Sequence, residues 1–403
     1  MKIVVLTFTH NDNFGASMQC YALTKYLMDR GHTVTQLFVP HLHQKQKTLQ
    51  EKCIHSLKAV AHRGLLILGL RKKLTRHPDY IRMQMSEVER KGYAANQKER
   101  ETLFDRFYDE YIPYFTKPCF TVKDILSLGL DADLYIVGSD QVWNPIITRG
   151  QKQIFFFNFL SDSVKRISYA GCFGGSEEWR VDAEETLQIK SLLEKFSGIG
   201  VRDYIATNIL KNVFNTESVR VLDPSFLLNA ADYLKIAEKS TLDGKGCAFM
   251  DKFVINDRWL AAFQNFCKRK GLELIANGEY LHLKDVDNKP LLPVEGWLKL
   301  LSTSDFVITD SFHCSVFCVI FKRQFVTLPS YPGGEGRMIA FLEELGLKDR
   351  YFYSSEDFVK NSSRCDKPID YDKVYSILNT KIALSKEFLN KYITDNIYEY
   401  LRL

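Results

Sequence analysis

The sequence predicts an α/β protein made of two doubly wound parallel sheets facing a central cleft, with a helical insertion in the first. Three observations carry this. The chain, at 403 residues, is longer than one hydrophobic core usually supports. Strand-like apolar runs alternate with helical patterns through both halves, the punctuation of parallel strand–helix–strand units. One long, mostly polar and helical stretch, residues 41–130, interrupts that alternation.

The elements follow in order. "KIVVLTF" (2–8) opens the first unit as a strand. A loop containing Gly15 leads into a helix whose apolar stripe is Ala16, Cys20, Leu23 and Leu27, stopped by Gly31. "TVTQLFV" (33–39) then returns as a strand. Beyond the insertion, strands resume with "DLYIVG" (133–138), "RISYAG" (166–171) and "GIGVR" (198–202). Asp-Pro in "VRVLDPSFLL" (219–228) ends a strand-like run and disfavours helix before it, marking entry to a second unit. That unit alternates "GCAFM", a helix around 256–270, "LELIA", a helix around 294–303, "DFVIT", a helix after Ser311, and "QFVTL". The expected division is residues 1–216, residues 217–375, and a C-terminal helical segment at 376–403 that packs back across the units.

Hydrophobic content of 45% and charged content of 26% are ordinary for a soluble globular protein. A net charge of +5 is too mild to call for nucleic acid, and no such partner is expected. Its distribution says more: residues 41–78 hold nine Lys or Arg against the single acid Glu51. That segment suits contact with an anionic membrane face or a phosphorylated acceptor, and equally a solvated helical insertion. The nine cysteines lack paired spacing, and Cys20, Cys172, Cys314 and Cys318 lie inside apolar runs, as buried thiols of a reducing cytosol do. "MKIVVLTFTH" carries no signal-peptide cleavage region, and "GLLILGL" is too short to span a bilayer. The expected location is therefore cytoplasmic, peripheral at the inner face of the cell membrane where the basic segment touches it. No Walker loop, HExxH, CxxC pair or GxSxG elbow is present, and no metal or cofactor is expected.

Polar groups gather where strands give way to helices. In "ITDSFHCSVF" (308–317), a strand ending at Thr309 and a helix starting near Ser311 aim unpaired N–H groups at the strand's carboxyl edge. Ser311 can cap or donate there, and His313 can act as a cationic donor or proton carrier. The plain alternative is a capped buried helix with His313 on a backbone carbonyl. Arg202 ends the strand in "GVRD", where it either grips a carboxylate or phosphate bidentately or pairs with Asp203 or a nearby acid. "PGGEGRM" (332–338) brings Arg337 to a helix start behind a Gly-rich loop. In "GSDQVWNP" (138–145), Ser139, Asp140, Gln141 and Asn144 offer the hydrogen bonds that sugar hydroxyls require, while Trp143 reads as core. "THNDNFGASMQ" (9–19) is a similar loop, with Asn11, Asn13 and Gln19 as polar contacts and Gly15 allowing close backbone approach. Arg, His and Asn with few carboxylates suit a multiply anionic substrate without a metal.

Six ordered stretches, "NFGASMQCYAL", "DLYIVGSDQVWNP", "RISYAGCFG", "GVRD", "VLDPSFLL" and "DFVITDSFHCSVFCVIFKRQFVTL", resemble the motifs of the polysaccharide pyruvyl transferase family. They cover about residues 1–350 apart from the basic insertion. The resemblance implies a GT-B-like pair of Rossmann-type domains. It also implies transfer of a pyruvyl group from phosphoenolpyruvate to two hydroxyls of a sugar, in a lipid-linked precursor of a surface polysaccharide. Family members place an Arg at the "VR" strand end and an Arg-x-His at the later junction, which here correspond to Arg202 and His313. The first domain would hold the acceptor, and the second would hold phosphoenolpyruvate through Ser311, Phe312 and His313. This sequence departs at Ser311, which stands where the family has arginine, and at Cys314, where glycine is usual; Arg337 is the expected substitute cation. A glycosyltransferase using a nucleotide sugar, or a non-catalytic glycan-binding member, would share this fold.

Overall fold

The computed structural model describes residues 1–40, 87–175, 178–251, 257–277, 286–289, 291–329 and 335–394. The basic segment 41–78 and the glycines of 332–334 lie outside them. The first sheet holds β1 (Lys2–Leu6), β2 (Thr33–Gln36), β3 (Leu134–Val137), β4 (Arg166–Gly171), β5 (Gly198–Val201) and β6 (Val219–Arg220). Their order is β2-β1-β3-β4-β5-β6 and every pair is parallel. The second sheet holds β7 (Cys247–Asp251), β8 (Glu273–Asn277), β9 (Asp287–Lys289), β10 (Phe306–Thr309) and β11 (Gln324–Thr327). It runs β11-β10-β7-β8-β9, again parallel throughout. This is the doubly wound, GT-B-like architecture. β6 completes the first sheet, so the first unit extends beyond residue 216 and the chain enters the second sheet only at β7.

Strand order locates the crevices. The first sheet changes winding direction between β1 and β3, and the second between β7 and β10. Ligands of open parallel sheets bind outside the carboxyl ends of strands at such switch points. The loops at 9–19 and 138–145 follow β1 and β3, and Ser311 follows β10.

Period-two alternation buries both faces of each sheet, as parallel strands require. On the first, Ile3, Val5, Leu134 and Ile136 share one cluster, while Val4, Leu6, Tyr135 and Val137 share another. On the second, Phe249 and Val307 face one way, and Met250 and Ile308 the other.

Helix Phe14–Met28 does more than its predicted stripe implies. Twelve of its fifteen residues are buried, so it is enclosed on all sides. Leu23, Tyr26 and Leu27 pack on the first sheet. Met18, Tyr21 and Ala22 join Tyr233, Trp297 and Phe317 of the second unit in one apolar cluster. Phe14 stacks on Trp297 with ring centroids 5.1 Å apart and planes 3° from parallel. Inside the predicted insertion, helix Glu87–Tyr111 adds Phe104, Phe107 and Tyr108 to that cluster. The C-terminal helix Tyr371–Ile393 crosses both units: Tyr371, Val374 and Leu378 lie in the shared core, while Phe388, Leu389, Tyr392 and Ile393 lie on the first sheet. The units thus meet through packed side chains.

Among the described residues, no helix is long and apolar enough to cross a membrane. The eight described cysteines are buried and form no disulfide.

Candidate active site

Arg202 and His313, 111 positions apart and on different sheets, converge on one carboxylate that motif reading did not single out. Asp223 accepts from Arg202 Nη1 at 3.0 Å, from Ser139 Oγ at 3.1 Å, and lies 3.2 Å from His313 Nε2. Its other oxygen accepts the Ser225 N–H at 3.0 Å, capping the short turn Pro224–Leu227. The side chains of Arg202, Asp223 and His313 are 2%, 0% and 10% exposed, so this charge cluster is nearly dry. Burial alone would push the Asp223 carboxyl up. The charge and hydrogen bond of His313, the charge of Arg202 and the Ser225 N–H outweigh it and hold that carboxyl well below the usual carboxylate range. A sequence signal existed: a buried Arg and a buried His call for a common anion, and the Asp of Asp-Pro was the acid at the end of β6.

Arg202 emerges from the end of β5. Its Nη2 reaches Cys172 Sγ at 3.3 Å and Asp140 Oδ1 at 3.5 Å, and its guanidinium lies 4.7 Å from the Phe312 ring centroid. Asp203 is not its partner; that carboxylate caps helix Tyr204–Phe214 through Ala206 N–H. Burial raises the Cys172 thiol despite the nearby Arg202 charge, leaving sulfur as a weak acceptor. A shift in β4 pairing between Ser168 and Gly171, with Ala170 at φ 59°, turns Cys172 toward this point. Asp140 itself sits at φ 78°, a left-handed conformation of the strained kind that gathers at functional sites. Nε of Arg202 is buried without a hydrogen bond among the described residues, a donor still lacking an acceptor.

At the second-sheet junction Ser311 is the helix cap, accepting from Cys314 N–H at 3.3 Å, while its own N–H donates to Thr309 Oγ1 at 2.9 Å. The N–H groups of Phe312 and His313 belong to the first turn and have no intrahelical acceptor. His313 bonds no backbone carbonyl; its partners are Asp223 and the neighbouring Arg202. Arg337, near the start of helix Glu335–Glu344, brings a second guanidinium to Phe312, 5.4 Å from the ring centroid. Its Nε and Nη1 are buried and make no hydrogen bond among the described residues.

The first-sheet loops divide into support and lining. Gln19 is fully buried, and its Nε2 donates to Thr7 Oγ1 at 2.9 Å and Ala16 O at 3.0 Å. Thr7 Oγ1 donates in turn to Ser139 O at 2.9 Å, and Ser139 is itself fully buried. Both therefore brace Asp223 from behind, where the sequence reading had them touching an acceptor. Asn13 is the exposed cap of helix Phe14–Met28. Asn144 Nδ2 donates to Gln141 Oε1 at 2.9 Å, stapling the half-buried turn after β3. Trp143 is core, its Nε1 donating to Phe155 O at 3.0 Å. Asn11 is half-buried, and its Oδ1 makes no hydrogen bond among the described residues.

The close approach that Gly15 permits is to His313. A Cβ at Gly15 would lie 2.2 Å from His313 Nδ1 and 2.4 Å from its Cγ. Gly→Ala inside a helix ordinarily gains about 1 kcal/mol. Here Gly15→Ala is expected to displace the imidazole, with turnover falling at least about tenfold. Thermal unfolding and initial rates measured on the same preparation check this; a wild-type rate would show that the contact is not needed.

A family model described as polysaccharide pyruvyl transferase matches residues 13–330. Among solved structures, a putative UDP-N-acetylglucosamine 2-epimerase from Listeria monocytogenes aligns with TM-score 0.53 at 9% identity, over 98% of this chain and 97% of that one. UDP-GlcNAc 2-epimerase from Neisseria meningitidis, bound to UDP-GlcNAc, gives TM-score 0.51 at 9% identity over 98% and 100%. Arabidopsis thaliana UGT89C1 complexed with UDP-L-rhamnose gives 0.50 at 11% identity over 98% of each. These likenesses concern the fold alone. A search of curated protein sequences finds no match.

Proposed function

Since the chain belongs to the polysaccharide pyruvyl transferase family, we propose that it moves a pyruvyl group from phosphoenolpyruvate to two hydroxyls of one sugar, releasing phosphate and forming a cyclic ketal. The observation that carries this reading is the pairing of Arg202 and Arg337 around Phe312, beside His313 at a helix start. Phosphoenolpyruvate has a carboxylate and a phosphate, so it needs two anion grips. The Arg202 guanidinium, with its unsatisfied Nε–H, suits the carboxylate. The open N–H groups of Phe312 and His313, with Arg337, suit the phosphate. Arg337 thereby supplies the cation that Ser311, committed to its cap, does not.

His313 is the proton carrier, since an imidazole can both give and take a proton. Protonation of the donor's methylene carbon makes an oxocarbenium-like centre that a sugar hydroxyl attacks. Burial of the Arg202–Asp223–His313 cluster keeps competing water away. The acceptor belongs at the first-sheet edge, where half-buried Asn11, Asp140, Gln141 and Asn144 remain within reach of a sugar. We take it to be a lipid-linked saccharide in a surface-polysaccharide pathway, met at the inner membrane face.

The test is incubation of purified protein with phosphoenolpyruvate and a panel of lipid-linked saccharides. Phosphate release and the mass gain of one ketal-linked pyruvyl group are read together. Arg337→Gln is expected to raise the KM for phosphoenolpyruvate roughly tenfold or more, as loss of a charge-assisted contact does. Thermal stabilisation by a UDP-sugar and none by phosphoenolpyruvate would instead favour a glycosyltransferase.

A further inference from the structure

The arrangement around Asp223 fixes which nitrogen of His313 is available for chemistry. An ionised carboxylate can only accept, so His313 Nε2, 3.2 Å from Asp223 Oδ2, must carry a hydrogen. Arg202 Nη1 also lies 3.3 Å from Nε2, and an arginine nitrogen has nothing to accept with. That short distance is therefore two donors converging on one oxygen. The two hydrogens of Nη1 have other destinations: Asp223 Oδ2 at 3.0 Å and Ser139 Oγ at 3.3 Å. Ser139 Oγ then donates its own hydrogen to the same carboxylate at 3.1 Å. The donors on Nη1, Ser139 Oγ and the imidazole all find acceptors only with Nε2–H. Nδ1 makes no hydrogen bond among the described residues and lies against Gly15, which has no Cβ to cover it.

We propose that Asp223 is the positioning residue of the site, holding a proton on His313 Nε2 so that Nδ1 alone exchanges protons with the substrate. This rests on the pyruvyl-transfer reading above. The protonated Nδ1 gives its proton to the methylene carbon of phosphoenolpyruvate, forming a C–H bond from the electrons of the double bond. The first sugar hydroxyl bonds to the cationic carbon, and its proton returns to Nδ1. The carbon–oxygen bond to phosphate breaks with its electron pair as the second hydroxyl closes the ketal, and that hydroxyl's proton leaves on the phosphate. Asp223 stays ionised and the Nε2 proton never moves.

Two measurements test this. In nitrogen-15 spectra of the unliganded wild-type protein, neutral His313 is expected as the Nε2–H tautomer; the Nδ1–H tautomer would overturn the assignment whatever the protein's activity. Asp223→Asn keeps an acceptor oxygen but removes the charge. Its kcat with phosphoenolpyruvate, on the saccharide that supports wild-type turnover, is expected to drop roughly a hundredfold or more with KM little changed. A kcat within a factor of about two of wild type would overturn the positioning role. A wild-type protein that transfers no pyruvyl group would sink the functional reading, while the tautomer still decides the geometry.

Discussion

His313→Ala is expected to abolish ketal formation, with a rate loss of about a thousandfold or more, in a protein that still folds. The reason lies in what remains. Without the imidazole, Asp223 keeps Arg202 Nη1, Ser139 Oγ and the Ser225 N–H, so no buried carboxylate is stranded. The cost is one hydrogen-bonded ring and a small void beside Gly15, about 1–3 kcal/mol. Mass spectrometry of the acceptor and a thermal melt of the same sample check both halves. Transfer at the wild-type rate would show that the proton comes from elsewhere.

Arg202→Met is expected to fail differently, losing activity and about 3–5 kcal/mol of stability together, because it breaks a fully buried ion pair and removes the guanidinium that also reaches Ser139, Cys172 and Asp140. The carboxylate is fully buried, and Arg202 and His313 are its charged partners. Arg202→Lys keeps a charge but cannot reach Asp223, Ser139 and Cys172 at once, so it should recover part of the stability and little of the activity. The pH dependence has a definite sign. Asp223 is held below its ordinary value, so it stabilises the fold fully above the unfolded-chain value of about 3.9 and loses that contribution as pH falls through its folded value. Denaturant titrations should therefore separate Arg202→Met from wild type most at neutral pH and least in strong acid. Equal separation across that range would mean that packing, and not the ion pair, was lost.

Much of this was legible in the sequence because apolar runs between polar punctuation are a local signal. β4 spans the predicted 166–171, and helix Val294–Thr303 spans the predicted 294–303. β9, three residues reading "DNK", carried no apolar pattern and was missed, since only its pairing with β8 makes it a strand. His313 and Arg202 stood out as polar groups where a core position would not want them. Asp223 did not, because an acid before proline at a turn is unremarkable until the fold brings Arg202 and His313 onto it. Gly15 was seen as a close-approach residue, but its neighbour lies nearly three hundred positions away. Ser139 and Gln19 looked like sugar contacts because a polar residue after a strand reads the same whether it faces a ligand or the back of the site.

Helix Phe14–Met28 has a consequence for engineering. It is wedged between the sheets, with residues committed to each, and its second position fits against the histidine of the opposite unit. Acceptor preference therefore cannot be exchanged by swapping whole first halves between relatives. A chimera joined near residue 216 would leave Met18, Tyr21 and Ala22 facing a foreign surface and would put Gly15 out of register with its imidazole. Recombination has to be confined to the outward-facing turns after β1 and β3, with the wedge, the Asp-Pro turn and the junction after β10 inherited together from one parent.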